Sequence, residues 1–177
     1  MFTFAHVGIT LGAARGLEKA IAVLRGAVDY RLVLLGSMLP DIIDKPLGGL
    51  VLREELGNGR IYCHTLAFLL LLWGAGAALW CRRKNHGLLV LAGSCTMHHV
   101  LDGMWFYPVT FLWPLYGWGL PRDDPGTWLQ QWVANLITNP VVYVPEMLGG
   151  FFILYIFSRV LIRKEWGQFW CTGRLNF

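Results

Sequence analysis

Ile61-Tyr-Cys-His64-Thr65-Leu-Ala-Phe-Leu-Leu-Leu-Leu-Trp73-Gly-Ala-Gly-Ala-Ala-Leu-Trp-Cys81 holds no Asp, Glu, Lys or Arg and stops at Arg82-Arg83-Lys84. At ~1.5 Å of rise per residue, a helix of that length covers the ~30 Å hydrocarbon core of a bilayer. Basic loops stay on the cytoplasmic side, so the 82–84 loop is predicted to lie inside. Asn85 to Leu101 is a second uncharged run, closed by Asp102. Val141 to Ser158 is a third; it carries one acid, Glu146, and is followed by Arg159, Arg163 and Lys164. The path is consistent: outward after Lys84, back near Pro140, ending inside. It puts His64, Asp102 and Glu146 at the outer membrane end.

Composition supports this reading. Of 177 residues, 55% are hydrophobic and 15% charged, against about 25% charged in a soluble domain. A disordered chain is excluded, and an ordinary soluble enzyme is disfavoured. The length suits one domain, residues 1–177. The net charge of +4 is spread thinly, over Arg15, Lys19, Arg25, Arg31 and the loops named above. Such bases anchor helices at the cytoplasmic face, and no nucleic-acid partner is expected. Cys63, Cys81, Cys95 and Cys171 form no CxxC pair, which argues against a disulfide framework or a thiolate zinc site. No basic segment leads into a long apolar N-terminal core, so no cleaved signal peptide is expected.

Residues 4–35 read as helical, with a break expected near Gly16. Residues 36–46, Gly-Ser-Met-Leu-Pro-Asp41-Ile-Ile-Asp44-Lys-Pro, read as a turn or broken helix because of the prolines. Residues 103–123 contain Pro108, Pro114 and Pro121 among Trp105, Trp113 and Trp118; an interfacial or re-entrant loop is expected there. Asp124-Pro125 predicts a helix start. The apolar spacing from Trp128 to Ile137 predicts a helix lying in the interface. The expected fold is therefore an all-α polytopic membrane bundle with an interfacial Trp/Pro-rich loop and helix.

Acids are scarce, yet Asp41, Asp44, Asp102 and Glu146 sit in or beside apolar segments. An acid at membrane depth costs at least ~2.5 kcal/mol and needs a partner. His6, His64 and His98 lie in similar surroundings. His98 and Asp102 are four apart and share a helix face, which serves either one metal ion or a core hydrogen bond. Asp44 reads as ordinary turn chemistry, paired with Lys45 or with a backbone amide. His6 alone reads as a core histidine, and His64 alone as a cap. Together, His6, His64, His98, Asp41, Asp102 and Glu146 recur at one predicted depth, and an N/O metal site accounts for all of them. Imidazole with carboxylate suits zinc; a carboxylate-rich part suits manganese or magnesium.

The order His6, Leu39-Pro-Asp41-Ile-Ile-Asp44, Arg60-x3-His64-Thr65, His98-x3-Asp102 and Glu146 resembles the YdjM-like membrane-bound metal-dependent hydrolases. That family is thought to be related to zinc-dependent phospholipase C and the P1-type nucleases. The resemblance covers about residues 4 to 157. It implies His6, Asp41, His64, His98, Asp102 and Glu146 as metal ligands. Gly59 and Val142 stand where relatives carry His, which implies one or two ions rather than three. The expected function is hydrolysis of a phosphoester, such as a phospholipid head group, by metal-activated water. Asp41 or Asp44 would orient or deprotonate that water. Membrane lipid is the expected environment and substrate, and the site is expected on the extracytoplasmic face of the cell membrane. The alternatives are a non-enzymatic membrane protein with a structural metal site or an ion/proton pathway, and a partner protein with a vestigial site.

Overall fold

The structure is a computed structural model that describes residues 3–122 and 128–175, the side chains of 128–132 excepted. All of its regular elements are helical. Helix α1 spans Thr3–Ala20, α2 Tyr30–Pro46, α3 Leu66–Arg83, α4 Gly87–Leu101, α5 Pro108–Phe111, α6 Trp128–Thr138, α7 Pro140–Ile162 and α8 Trp166–Thr172. Among the described residues, α3 and α7 are long and apolar enough to cross a membrane. Their apolar side chains largely face outward: Leu71 is 75% and Val141 72% exposed. Such a surface suits lipid and not water.

Helices α1, α2, α3, α4 and α7 run up and down, so their ends sort into two groups. The start of α1, the end of α2, the start of α3, the end of α4 and the start of α7 lie at one end of the bundle. Arg82, Arg83, Arg159 and Arg163 mark the other. The apolar core sits towards the basic end, where Leu11, Val28, Tyr30, Val33, Ile156 and Phe169 pack together. There Glu18, buried, accepts from Tyr30 Oη at 2.6 Å, Gly26 N at 3.0 Å and Arg15 Nη1 at 2.6 Å. Helix α8, which no sequence signal suggested, closes this end: Tyr30 N donates to Gly173 O at 2.7 Å.

Three boundaries differ from expectation. Helix α1 is unbroken at Gly16; a glycine costs a helix interior only ~1 kcal/mol, and the Arg15–Glu18 ion pair spans the position at 2.6 Å. The break falls instead at residues 21–29. Helix α2 continues through Pro40, which forfeits its bond to the Gly36 carbonyl and crowds that oxygen with its ring. Packing compensates, because Gly36 lies directly against Leu91 and Ser94 of α4. Helix α3 begins at Leu66 and not Ile61. The amides of Ile61, Cys63 and His64 are taken by the Asp44 carboxylate, and Thr65 caps the helix by accepting from Phe68 N at 3.1 Å.

The Trp/Pro-rich stretch is irregular, as expected, with one 3₁₀ turn at Met104–Phe106 and the short α5. Trp105, Phe106, Tyr107, Tyr116 and Trp118 are exposed, as side chains at a membrane–water interface are. The helix start expected at Asp124-Pro125 lies outside the described residues, although α6 follows at Trp128.

Helices α1 and α7 touch backbone to backbone. A β-carbon at Gly8 would run into the Gly149 carbonyl, and one at Gly149 into the carbonyl of Phe4. Close approach through small residues is how helices pack where no water drives them together.

Candidate metal centre

The polar end of the bundle collects side chains from distant parts of the chain. His6 comes from the first turn of α1, Asp41 from α2, His64 from the turn before α3, His98 from the last turn of α4 and Asp102 from its C-cap. His6, His64 and His98 are fully buried. Two overlapping groups have ligand atoms within 4.8 Å of one another: His6, His98 and Asp102; and Asp41, His64 and His98.

Hydrogen bonding orients the rings. His98 Nδ1 lies 2.7 Å from the Ser37 carbonyl. A carbonyl only accepts, so Nδ1 holds the proton and Nε2 keeps the lone pair. His64 Nδ1 lies 2.7 Å from Asp44 Oδ2, and a carboxylate that also accepts backbone amides fixes the same tautomer. The two Nε2 atoms then face each other at 3.2 Å, lone pair to lone pair. That arrangement is repulsive unless a cation lies between them. Asp41 Oδ1 approaches them at 3.6 Å and 3.9 Å, and Asp102 Oδ2 approaches His64 Nε2 at 3.7 Å. Tetrahedral ligands ~2.0–2.1 Å from a zinc ion stand ~3.3 Å apart, so the Asp41, His64 and His98 atoms fit one ion. His6 stacks on His98 with ring centroids 4.1 Å apart. Its Nε2 is 3.2 Å from Asp102 Oδ1, and neither of its buried ring nitrogens makes a well-aligned hydrogen bond. Such orphaned nitrogens also fit a ligand set. His98 belongs to both groups, and its single lone pair at Nε2 serves one ion.

Asp41 and Asp102 each touch a cation as well as the imidazoles. Lys45 Nζ meets Asp41 Oδ2 at 2.6 Å, and Arg60 Nε meets Asp102 Oδ2 at 3.0 Å. Lys45 thus pairs with Asp41 one helical turn away and not with Asp44. Burial opposes the Arg60 charge, but the Asp102 carboxylate outweighs it and raises the guanidinium above its ordinary pKa. Lys45 and Arg60 were not among the expected site residues. The signal for Arg60 is its place at the head of Arg60-x3-His64.

Asp44 and Glu146 are placed apart from the facing nitrogens. The fully buried Asp44 carboxylate accepts from Ile61 N, Cys63 N, His64 N and His64 Nδ1. It orients the His64 ring, and these donors occupy the carboxylate to which a catalytic role was expected to fall. Glu146 accepts from Phe4 N and Ala5 N, each at 3.1 Å. It caps α1, whose first amides lack helical partners, and belongs to neither ligand group. His99 turns away, with Nδ1 2.7 Å from the Cys95 carbonyl.

The chain matches no curated protein and no solved structure significantly. A match to a family of inner membrane proteins runs over residues 1–172 and takes in every helix and every residue of this cluster. With two helices fit to cross a membrane and a buried His/Asp cluster able to hold a metal ion, the chain belongs to the YdjM inner membrane protein family.

Proposed function

We propose that the protein is an integral membrane metal-dependent hydrolase acting on a phosphoester, with a phospholipid head group as the best candidate. The observation that carries this reading is the facing pair of His64 and His98 Nε2 atoms, 3.2 Å apart and flanked by carboxylates. An ion pathway needs polar groups at several depths, whereas these cluster at one end, beside the exposed aromatics of residues 105–118. The site lies opposite the basic loops, which supports a position at the extracytoplasmic face.

Asp41, His64 and His98 would hold a divalent ion, zinc by the chemistry of the donors, with Asp102 and His6 beside them. Such an ion supplies Lewis acidity and makes water a nucleophile near neutral pH. The chain's own residues do the rest. Asp44 and the Ser37 carbonyl hold the imidazoles in the ligating tautomer. Asp41 Oδ2, beside Lys45 Nζ at 2.6 Å, accepts the proton of the attacking water. The water oxygen bonds to phosphorus, the ester P–O bond breaks, and the departing alcohol oxygen takes up that proton. The Trp-rich segment grips the interface where the substrate lies.

The test is elemental analysis of the detergent-solubilised protein beside the double variant His98→Ala/Asp102→Asn. Near-stoichiometric zinc or manganese, lost in the variant, is the expected result. A phosphoester screen follows, in which His98→Ala and Asp102→Asn abolish turnover while the fold persists. Unchanged turnover in both would remove the proposal. Bound metal without turnover on any phosphoester would assign a structural site.

A further inference from the structure

Arg60 does more than neutralise Asp102. Its Nε is taken by that carboxylate at 3.0 Å. Its guanidinium carbon lies 5.0 Å from the Tyr107 ring centroid, so the plane is held from two directions. Its Nη1 and Nη2 make no hydrogen bond to the described residues. The same side chain lines a cavity of about 260 Å³ with Asn58, Phe106, Tyr107, Val109 and Thr110. Asn58 fixes the wall: its Oδ1 accepts from Arg60 N at 2.8 Å and its Nδ2 donates to Pro121 O at 3.0 Å. One side chain therefore links a carboxylate of the metal centre to an adjoining cavity and carries unused donors there.

Resting on the function proposed above, we infer that this cavity is the phosphate subsite and that Arg60 binds the anionic oxygens of the substrate. A guanidinium presents paired N–H groups that match phosphate oxygens, which an ammonium does not. Ligand pockets begin at ~300 Å³, so this volume suits a phosphoryl head and leaves any tail outside. Phe106, 76% exposed, and Val109, 41% exposed, form an apolar lip continuous with the interfacial aromatics. The chemistry recognised is a phosphate-bearing anion, either lipid-borne or soluble.

The test compares the zinc-loaded protein, freed of excess metal, with Arg60→Lys and Arg60→Gln. Zinc content is measured by elemental analysis. Binding of inorganic phosphate, and of phosphatidic acid in detergent micelles, is measured by calorimetry. Arg60→Lys keeps a charge beside Asp102 and guards against loss of the fold. The expected result is unchanged zinc with phosphate binding weakened about tenfold or more in Arg60→Gln, the worth of one charge-assisted hydrogen bond, and by less in Arg60→Lys. Tighter binding of phosphatidic acid than of inorganic phosphate identifies a lipid source; equal binding identifies a soluble one. Retained zinc with unchanged binding of both probes in both variants overturns the subsite alone. A wild-type protein that takes up no metal overturns the proposed function, and this inference with it.

Discussion

Asp44→Asn tests the centre without touching a candidate ligand atom. Four donors converge on the Asp44 carboxylate: Ile61 N at 2.9 Å, Cys63 N at 3.0 Å, His64 N at 3.1 Å and His64 Nδ1 at 2.7 Å. Asparagine keeps one acceptor oxygen and puts an NH₂ group where the other stood. All four reach Oδ2 and only Cys63 N also reaches Oδ1, so the amide oxygen takes the Oδ2 place and the NH₂ group faces Cys63 N. With the charge of the acceptor gone and one amide opposed, the metal-free protein should lose ~1–3 kcal/mol. The variant also acts on the tautomer. A neutral amide oxygen holds the His64 Nδ1 proton less firmly than a carboxylate, so the share of rings with the proton at Nε2, where it blocks ligation, rises. Loss of an outer-shell partner typically weakens metal binding ~10–100-fold. Thermal unfolding of the metal-free protein reads the first effect, and zinc titration against a competing chelator reads the second. A folded Asp44→Asn protein with wild-type zinc affinity would refute the tautomer argument, and with it the reading of the facing nitrogens as ligands.

Gly8→Ala should cost ~1–3 kcal/mol or more, as overpacking does, because the new methyl meets the Gly149 backbone. The displaced α1 should also carry His6 away from Asp102, so thermal stability and metal content are expected to fall together. Glu146→Gln should lower stability by ~1–3 kcal/mol through the Phe4 and Ala5 amides yet leave zinc stoichiometry intact; zinc loss with an unchanged melting temperature would make Glu146 a ligand. At the basic end, the Arg31 hydrogen bond holds the Asp29 carboxyl below its ordinary pKa. A lowered folded pKa stabilises above the unfolded value of ~3.9 and loses that contribution as pH falls through the folded one. Asp29→Ala should therefore melt below wild type at pH 6, with the gap narrowing as pH drops under ~4; a gap independent of pH counts against the pairing.

Much of the fold was legible because lipid imposes a simple rule. A run such as Leu66–Trp73 has no soluble use for its exposed side chains, and in hydrocarbon the backbone must bond to itself, so a helix follows. The basic residues after Cys81 and Ser158 meet at one end of the bundle. The ligand candidates were legible for a related reason: ionisable groups such as Asp41, His98 and Asp102 stand out in apolar surroundings. The Gly16 and Pro40 breaks were misread because local propensity is worth ~1–3 kcal/mol, and the α1–α7 and α2–α4 contacts outweigh it.

By itself, the sequence determined an all-helical membrane chain and the His and Asp types able to meet at one end of it. Only the tertiary structure decided their division of labour. Asp41 and Asp44 lie on one helix, three residues apart and alike in chemistry, yet Asp41 faces the imidazoles while Asp44 is spent on the amides of residues 61–64. Glu146, more than 140 positions from the N-terminal helix it caps, gave no local sign of that role. Arg60 stood in the Arg60-x3-His64 motif without an expected role until the fold set it between Asp102 and a cavity. Which partner a polar group takes is settled by what burial brings within ~3 Å of it, and contacts between distant segments carry no period or spacing that a linear reading can detect.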